Sequence, residues 1–519
     1  MKKLLCIILC LAFILTGCSG SNKEKAIRFD INRFPNSLDA QMTMEKESIP
    51  VLLNTMSGLT KIAPDGSVVP DLAEKWEVKN GGREYIFTLK DDLKWQDGTP
   101  LTSRDFQFAL RRVVSPKTHS PYAERYLNIL NSEKILKGEL SEESLGVRTP
   151  DDKTLIISLN EPDLSLPSLM AQTSSLPCNE EFFNSCKGKY GLSPENLLSC
   201  GPFYLHSVDE NLMLLKKNTN ALSPAKTEKL YFCTRRGEHT DIFLEGRSEA
   251  CIVPFNEYEK IKDLPKQEIY NRTFALVINP ESEIGKNEIY RKALVSSLFN
   301  EDFSGEGEYL TGIRGIVPPS TLLENINYRE KAGDLKIPQP LPAAKLKEDI
   351  QNEILNESSE KLPKTEITTD DSEINFSIAS KIQNIYSTDL SLYINIVPQN
   401  ISDLSQKLSS KDFEIALCEI KPVQDKPLFY LAPFGDIEIQ LDGEFIKIKD
   451  ILQESETEND SFRKIQLLKK AEQALIDNFY VLPLYHAPTY IVSSDSIEGL
   501  LYLPSKQAFF FGDAVLKEK

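Results

Sequence analysis

The chain lacks the short motifs that mark hydrolytic, metal-dependent and phosphate-binding sites. No His-Glu-x-x-His zinc motif, Gly-x-Ser-x-Gly nucleophile elbow or glycine-rich phosphate loop is present. Histidines are scarce, and the four stand far apart in the sequence, at His119, His206, His239 and His486. Acidic residues number 77, so neighbouring carboxylates arise by chance and carry no weight as evidence for catalysis. The sequence therefore disfavours an enzyme.

An excess of positive charge is also missing. Lys and Arg number 60 against 77 Asp and Glu, which gives a formal net charge of −17. A nucleic-acid-binding surface or a polybasic membrane patch requires the opposite balance. We therefore expect no nucleic acid partner. The average leaves the charge of a small ligand open, because a binding cleft can differ from the surface around it.

Long apolar runs are absent apart from residues 4–15, which follow Lys2 and Lys3. This run is shorter than the roughly 20 residues that a transmembrane helix needs. It ends in Leu15-Thr16-Gly17-Cys18, the pattern of a bacterial lipoprotein signal. We predict a signal peptide over residues 1–17, a lipid on Cys18 and a tether over residues 18–25; an ordinary signal peptide is the alternative. The mature protein is then expected in the periplasm or cell envelope, anchored to a membrane through Cys18.

The cysteine pattern contains no Cys-x-x-Cys pair, which disfavours a zinc or redox site. Of the nine cysteines, two lie in the predicted signal peptide and one is Cys18. The others are Cys178, Cys186, Cys200, Cys233, Cys251 and Cys418. An oxidising compartment permits disulfides, with Cys178–Cys186 as the local pair, and buried free thiols are the alternative.

The most informative stretch is residues 58–116, which contains both tryptophans, Trp76 and Trp95. Alternation of apolar and polar residues predicts strands, and Asn80-Gly81-Gly82 predicts a hairpin turn between two of them. Thr102 or Ser103 can cap a helix that ends before Pro116. The predicted elements are a capped helical turn over 70–74, strands over 77–79 and 84–89, and a helix over 104–114.

Four motifs follow one another in this stretch: Leu72-Ala73-Glu74-Lys75-Trp76-Glu77-Val78, Tyr85-Ile86-Phe87-Thr88-Leu89, Lys94-Trp95-Gln96-Asp97-Gly98-Thr99-Pro100-Leu101-Thr102 and Asp105-Phe106. Their residue types and order resemble the large solute-binding proteins of oligopeptide and dipeptide ABC importers, bacterial extracellular solute-binding protein family 5. Looser matches follow at Ile289-Tyr290-Arg291-Lys292-Ala293-Leu294, Gly315-Ile316-Val317-Pro318-Pro319 and Val481-Leu482-Pro483-Leu484-Tyr485. The resemblance covers nearly the whole mature chain.

The resemblance implies an α/β chain with the two-lobed periplasmic-binding-protein fold, type II and similar to the large cluster C proteins, with an extra inserted αβ subdomain. The length agrees, because roughly 500 residues are too many for one compact core. The expected division is lobe I over residues 26–57, 172–270 and 488–519, the inserted subdomain over 58–171, and lobe II over 271–487.

Within lobe II, strand and helix patterns alternate cleanly. Such spacing favours βαβ crossovers with parallel pairing. The predicted strands cover residues 364–368, 392–398 and 413–420, and the predicted helices cover 373–386, 401–408 and 462–477. A further helix is predicted over 122–137.

By resemblance, the function is capture of an oligopeptide or related amide-bearing solute by hinge closure, followed by delivery to the permease subunits of an ABC importer. We expect a monomer without cofactor, metal or catalytic residue. Two alternatives remain open on the sequence: a secreted, lipid-anchored hydrolase, and a binding protein that serves as a surface adhesin or receptor.

The family holds the α-amino group of a peptide with an aspartate in a Gly-Trp-x-x-Asp-Tyr-x-x-Pro loop, which here follows the strand over 413–420. Ile420 stands at the tryptophan position and Val423 at the aspartate position. Because valine cannot balance an ammonium group, another carboxylate is required if the amine is recognised. Glu419 and Asp425 are the candidates; both being solvated loop carboxylates is the alternative.

Two more candidates for ligand contact follow the motif at residues 481–485, namely Tyr485 and His486. Ordinary packing is the alternative for each. The departures in the loop predict either a peptide that is held differently or a ligand whose α-amine is blocked, absent or not decisive. Cell-wall peptides and other amide-bearing small solutes fit that description.

Overall fold

The computed structural model describes residues 26–64, 66–304, 315–323, 326–356, 365–422, 426–441, 443–458 and 460–517. The predicted signal peptide, Cys18 and the tether lie outside the described residues, as do Val423 and Asp425 of the candidate ligand loop. Within the described ranges, no helix has the length and apolarity needed to cross a membrane.

The strands, in chain order, are β1 (Ile27–Asp30), β2 (Thr60–Ile62), β3 (Val68–Pro70), β4 (Ala73–Lys79), β5 (Glu84–Leu89), β6 (Val147–Asp151), β7 (Thr154–Ser158), β8 (Phe203–Val208), β9 (Leu212–Lys217), β10 (Lys229–Cys233), β11 (Ala250–Pro254), β12 (Lys266–Ile278), β13 (Leu322–Leu323), β14 (Ile326–Asn327), β15 (Glu366–Asp370), β16 (Asn395–Gln399), β17 (Ile415–Ile420), β18 (Glu438–Leu441), β19 (Glu444–Lys447), β20 (Val481–Ser493), β21 (Ile497–Glu498), β22 (Leu501–Leu503), β23 (Ala508–Phe510) and β24 (Val515–Leu516).

The α-helices of the described residues are Ser48–Thr55, Ser103–Val114, Ser132–Leu136, Leu166–Met170, Glu180–Ser185, His239–Leu244, Tyr258–Ile261, Glu283–Lys286, Glu288–Ser296, Tyr328–Ala332, Ala343–Asn356, Glu373–Ile385, Ile401–Ser410, Pro427–Leu431, Ile448–Thr457 and Ser461–Asp477.

The two ends of the described chain share one core. The four-stranded sheet β1-β10-β9-β8 pairs β1 with β10 in parallel and is otherwise antiparallel. Phe29 of β1 packs against Phe232 of β10 and against Phe509 and Phe511 near the C-terminus, with ring centroids 5.2–6.1 Å apart. These residues belong to a large apolar group, here called the first core cluster.

The motif-rich stretch supplies β4 and β5 of the antiparallel sheet β4-β5-β7-β6, and its residues Tyr85, Phe87 and Trp95 belong to the same first core cluster. The hairpin predicted between two strands joins β4 to β5, and Gly81 adopts a φ of 64° in it, where a side chain would be strained. The helix Ser103–Val114 begins with a capping box, in which Thr102 N donates to the Asp105 carboxylate at 2.7 Å.

The capped helical turn predicted over residues 70–74 is wrong. Pro70 ends β3 and Ala73 begins β4. The amides of Leu72 and Ala73 donate to the carbonyls of Gly58 and Leu59, at 2.9 and 3.0 Å. These amides thus bond to residues elsewhere in the chain, and the helical turn that the local sequence favours does not form.

The six-stranded sheet β11-β20-β12-β17-β15-β16 carries a core on each face. Because side chains alternate along a strand, Phe274 and Leu276 of β12 join a second core cluster, whereas Ala275 and Val277 join a third. β15 pairs in parallel with both β16 and β17, so the predicted parallel crossovers are confirmed.

The helix predicted over residues 122–137 is only partly present. A 3-10 turn at Ala123–Tyr126 and the short helix Ser132–Leu136 are separated by Asn131, whose φ is 71°. A left-handed residue cannot continue a right-handed helix, so the run is broken there.

The six cysteines after Cys18 are all buried free thiols. The Cys178–Cys186 disulfide is therefore not formed, and the free-thiol alternative describes the structure. Cys178 instead lies beside a buried ion pair, with its sulfur 3.5 Å from Arg112, which also binds the Asp39 carboxylate at 2.6 Å. Burial raises the pKa of the Cys178 thiol to about 12.

Candidate functional site

Two long antiparallel strands, β12 and β20, connect the cores. Early in β12, Ile269 belongs to the first core cluster, and later in the strand Phe274 belongs to the second. β20 runs the other way, with Tyr485 in the second cluster and Ile491 in the first. The second cluster also includes Tyr490 and Val492 of β20 and so extends past both ends of this region, whereas the first cluster gives way to the third, which contains Ala275 and Val481.

The pairing of these strands is interrupted at the crossing. Two residues of β12, Tyr270 and Asn271, lie opposite the single residue Pro488 of β20. This is a β-bulge, which bends the strand and interrupts the backbone ladder. Pro488 has no N–H to contribute to the ladder. Few backbone hydrogen bonds therefore join β12 and β20 at the bulge.

Three residues outside the bulge, Ser320, Tyr430 and Thr489, form hydrogen bonds with its two residues. Ser320 donates its N–H and its hydroxyl to the Tyr270 carbonyl, at 3.1 and 2.7 Å. Tyr430 donates its hydroxyl to the Asn271 carbonyl at 3.0 Å. Thr489 donates to Asn271 Oδ1, also at 3.0 Å. A bend held by a few side-chain contacts can change its angle at the loss of few backbone bonds, as a hinge requires.

Just beyond the bulge, Arg272 forms a two-point ion pair with Glu419 of β17. Arg272 Nε and one terminal nitrogen donate to the two carboxylate oxygens, at 2.9 and 2.5 Å. Both side chains are largely buried, 25% and 16% exposed. The guanidinium also lies over the rings of Phe255 and Phe274, 4.9 and 5.7 Å from their centroids. The Glu419 carboxylate is therefore already paired with a cation of the protein itself.

Tyr485 extends the same stack of rings. It lies parallel to Phe274, with centroids 4.7 Å apart, and its hydroxyl donates to Asn375 Oδ1 at 2.6 Å. The Tyr485 side chain is completely buried in the second core cluster. In this arrangement Tyr485 packs against β12 through Phe274 and has no solvent-accessible surface.

His486 is also completely buried. Its Nδ1 lies 3.0 Å from the hydroxyl of Thr273, its partner across β12 and β20. Of the four predicted ligand-contacting residues, the structure thus places Glu419 and Tyr485 around one ring stack and His486 on the next pair of the ladder. Asp425 lies outside the described residues.

Arg272 was not predicted, and it is the residue that organises this region. The signal for it in the sequence is slight, namely a cation directly before the apolar run Thr273–Ile278. Its partner lies 147 positions away, so no local pattern could have joined the two. Elsewhere in the described ranges, no three His, Cys, Asp or Glu side chains come together as metal ligands.

Comparison with known proteins agrees with this architecture. The sequence model described as bacterial extracellular solute-binding proteins, family 5 Middle, matches residues 67–437. The chain belongs to the bacterial extracellular solute-binding proteins of family 5. Among curated relatives, the oligopeptide-binding protein OppA of Bacillus subtilis is 25% identical over 526 aligned residues, which cover 97% of this chain and 95% of that protein.

Solved structures show the same fold. The unliganded open form of the periplasmic murein tripeptide-binding protein MppA superposes with a TM-score of 0.70 at 22% identity, covering 96% of this chain and 98% of that one. OppA of Listeria monocytogenes bound to peptide gives 0.67 at 21% identity, with 96% and 100% covered. The predicted two-lobed α/β fold is therefore confirmed.

Proposed function

We propose that this chain is the solute-binding subunit of an ABC importer, which captures a peptide or related amide-bearing solute by closure of two lobes and does no bond-breaking. The observation that carries the proposal is the bulge in β12 and β20 where these strands pass from the first core cluster to the third. A hinge of this kind lets two lobes close around a ligand.

The lobes of the proposal follow the predicted division, with residues 271–487 as lobe II and the inserted subdomain over 58–171. The third core cluster lies wholly within residues 271–487 and supports a separate lobe II, whereas the second also takes in Val253 and Tyr490 from outside that range. The first core cluster runs without a break from β1 into β5, so the inserted subdomain and lobe I should move as one body.

The solute is proposed to be recognised without a decisive contact to a free α-amine. Val423 stands where the family places its acidic anchor, and Arg272 already engages both oxygens of Glu419. A ligand ammonium would have to displace that guanidinium or share the carboxylate with it. Peptides held through their backbone, including murein-derived peptides of the kind named for MppA, fit this arrangement.

Native mass spectrometry of the purified protein tests the binding class. We expect a co-purified peptide or peptide-like solute, and small-angle X-ray scattering should show a decrease in the radius of gyration when that solute is added back to stripped protein. Incubation should return the solute chemically unchanged. Turnover of the solute, or binding without compaction, would contradict the proposal.

The predicted anchor has its own test. We propose that Cys18 carries the lipid and holds the mature chain in the cell envelope beside its permease. Cells fed a radiolabelled fatty acid should incorporate label into the wild type and none into Cys18→Ser. Equal labelling of the two proteins would reject Cys18 as the attachment site.

A further inference from the structure

The charged residues at the end of β17 lie on one face of the six-stranded sheet. Thr273 of β12 is paired with Ile420, the last residue of β17. Continuing this register by one residue places Arg272 opposite Lys421. Because side chains alternate along a strand, Lys421 lies on the same face as Glu419, to which Arg272 bonds from the neighbouring strand. The three charged side chains therefore meet on one face, directly after the bulge in β12.

Two cations approach the same carboxylate oxygen. Arg272 Nη2 lies 2.5 Å from Glu419 Oε2, and Lys421 Nζ lies 3.9 Å from that atom. Among the described residues, Glu419 is the only carboxylate within 4.0 Å of either cation. The three side chains together therefore carry one surplus positive charge, although the chain as a whole has a formal net charge of −17.

Arg272 also has hydrogen-bond donors that the protein does not use. Its Nε and Nη2 donate to Glu419, and the guanidinium lies over the rings of Phe255 and Phe274. Its Nη1 has no acceptor among the described residues, and it is not one of their buried polar atoms without a partner. Nη1 is therefore open to solvent, as is the Lys421 side chain, which is 56% exposed. A guanidinium that is already fixed loses little freedom when it binds a further group.

The backbone beside this group has one open edge. β15 pairs with β17 only as far as Leu417. Within the described strands, Cys418–Ile420 therefore have a strand neighbour on the β12 side alone. An extended chain can pair with such an edge. A solute that did so would run beside Glu419 toward Lys421, which brings a carboxylate at its end or on its side chain within reach of both cations.

We propose that Arg272 Nη1 and Lys421 Nζ form an oxyanion subsite that takes a carboxylate of the captured solute. A carboxylate bound there forms charge-assisted hydrogen bonds with both cations and balances the surplus charge, whereas an ammonium group would increase it. Contacts with Glu419 and the two rings hold the guanidinium ready before the solute arrives. The proposal rests on the proposed function, because it specifies the charge of the solute.

Isothermal titration at pH 7 and low salt tests the subsite. The peptide probes are acetyl-trialanine with a free C-terminal carboxylate and acetyl-trialanine amide, which both lack a free α-amine and differ only at the C-terminus. The wild type should bind the acid at least about tenfold more tightly than the amide, since hydrogen bonds to charged groups are the stronger ones. Added salt should reduce this preference, because Lys421 is exposed.

Two variants address the two cations. Lys421→Gln changes an exposed side chain and should reduce the preference for the acid several-fold without loss of folding. Arg272→Gln combined with Glu419→Gln removes both charges of the buried pair together, so no charge is left without its partner, and should abolish the preference. The matched control Lys286→Gln removes an exposed lysine at the end of helix Glu283–Lys286 and should leave the preference unchanged.

The outcomes separate this subsite from the proposed function. If the acid binds no more tightly than the amide, or if the full preference survives in Lys421→Gln or in the double variant, the subsite is rejected while peptide capture stands. If neither peptide binds, sodium acetate decides, through the unfolding temperature at constant ionic strength. A saturable rise that Lys421→Gln abolishes supports a subsite for a free oxyanion and counts against capture of short peptides, whereas the absence of such a rise rejects the subsite.

Discussion

Arg272 on β12 and Glu419 on β17 are joined at two points, with nitrogen–oxygen distances of 2.9 and 2.5 Å. Arg272 follows the bulge of the crossing strands directly, and Glu419 comes one residue before the end of the strand that leads into the candidate ligand loop. The pair therefore ties the bulge in β12 to the end of β17. Both oxygens of the Glu419 carboxylate already accept hydrogen bonds from Arg272.

The pair should behave as a unit in unfolding experiments. Arg272→Gln and Glu419→Gln should each lower the free energy of unfolding by about 1–3 kcal/mol, because each leaves a largely buried charge without its partner. The double variant should lose less than the sum, with a coupling of about 1–2 kcal/mol in urea denaturation. Additive losses would mean that Glu419 acts independently of Arg272, as a ligand anchor would.

A second ion pair tests the packing beside the third core cluster. Glu472 is completely buried, binds Arg329, and accepts from Val317 N and the Tyr328 hydroxyl, both at 2.8 Å. Glu472→Leu leaves the Arg329 charge buried without a partner and should cost about 3–5 kcal/mol in urea denaturation. The matched control Tyr328→Phe removes one hydrogen bond and should cost about 1 kcal/mol. Similar losses in the two variants would contradict this account.

The buried carboxyl of Asp105 makes the free energy of unfolding decrease as pH rises. Burial raises the pKa of this carboxyl to about 6, although hydrogen bonds from Thr102 and Asn179 oppose the rise. The folded state therefore keeps a proton that the unfolded chain has released above about pH 4, so this group makes stability fall as pH rises from about 4 to about 6.

Asp105→Asn should remove that fall. Relative to the wild type, the variant should gain about 2–3 kcal/mol between pH 4 and pH 6, measured as the difference in free energy of unfolding at several pH values. Asp92→Asn, a change at an exposed carboxylate, is the control and should show no such gain. A flat difference for Asp105→Asn across this range would show that the carboxyl has the same pKa in the folded and unfolded states.

The thiols should be inert in the native protein. Burial raises the pKa of Cys200, Cys251 and Cys418 to about 12, which suppresses the reactive thiolate. In a mature chain carrying Cys18→Ser, a thiol reagent at pH 8 should label less than one cysteine in buffer and all six in denaturant. Reducing agent should leave the unfolding temperature unchanged. Labelling of four thiols in denaturant would indicate a disulfide after all.

Several elements could be predicted from the sequence because their causes are local. The capping box of Thr102 and Asp105 needs residues only three positions apart, and the left-handed conformation at Gly81 needs only the absence of a side chain. The parallel pairing of β15 with β17 followed from the length of the crossovers between strands. The family itself could be recognised from ordered motifs, because scaffold residues recur where the backbone demands them.

The sequence by itself determined the family, the two-lobed α/β architecture and the binding class, since each rests on periodicity, turns and motif order along the chain. Only the tertiary structure decided that Glu419 is paired with Arg272 and that Tyr485 is buried in the second core cluster. Those relationships join residues far apart in the chain, and partner choice across such separations depends on the packing of whole strands and helices. No short window of sequence contains that information.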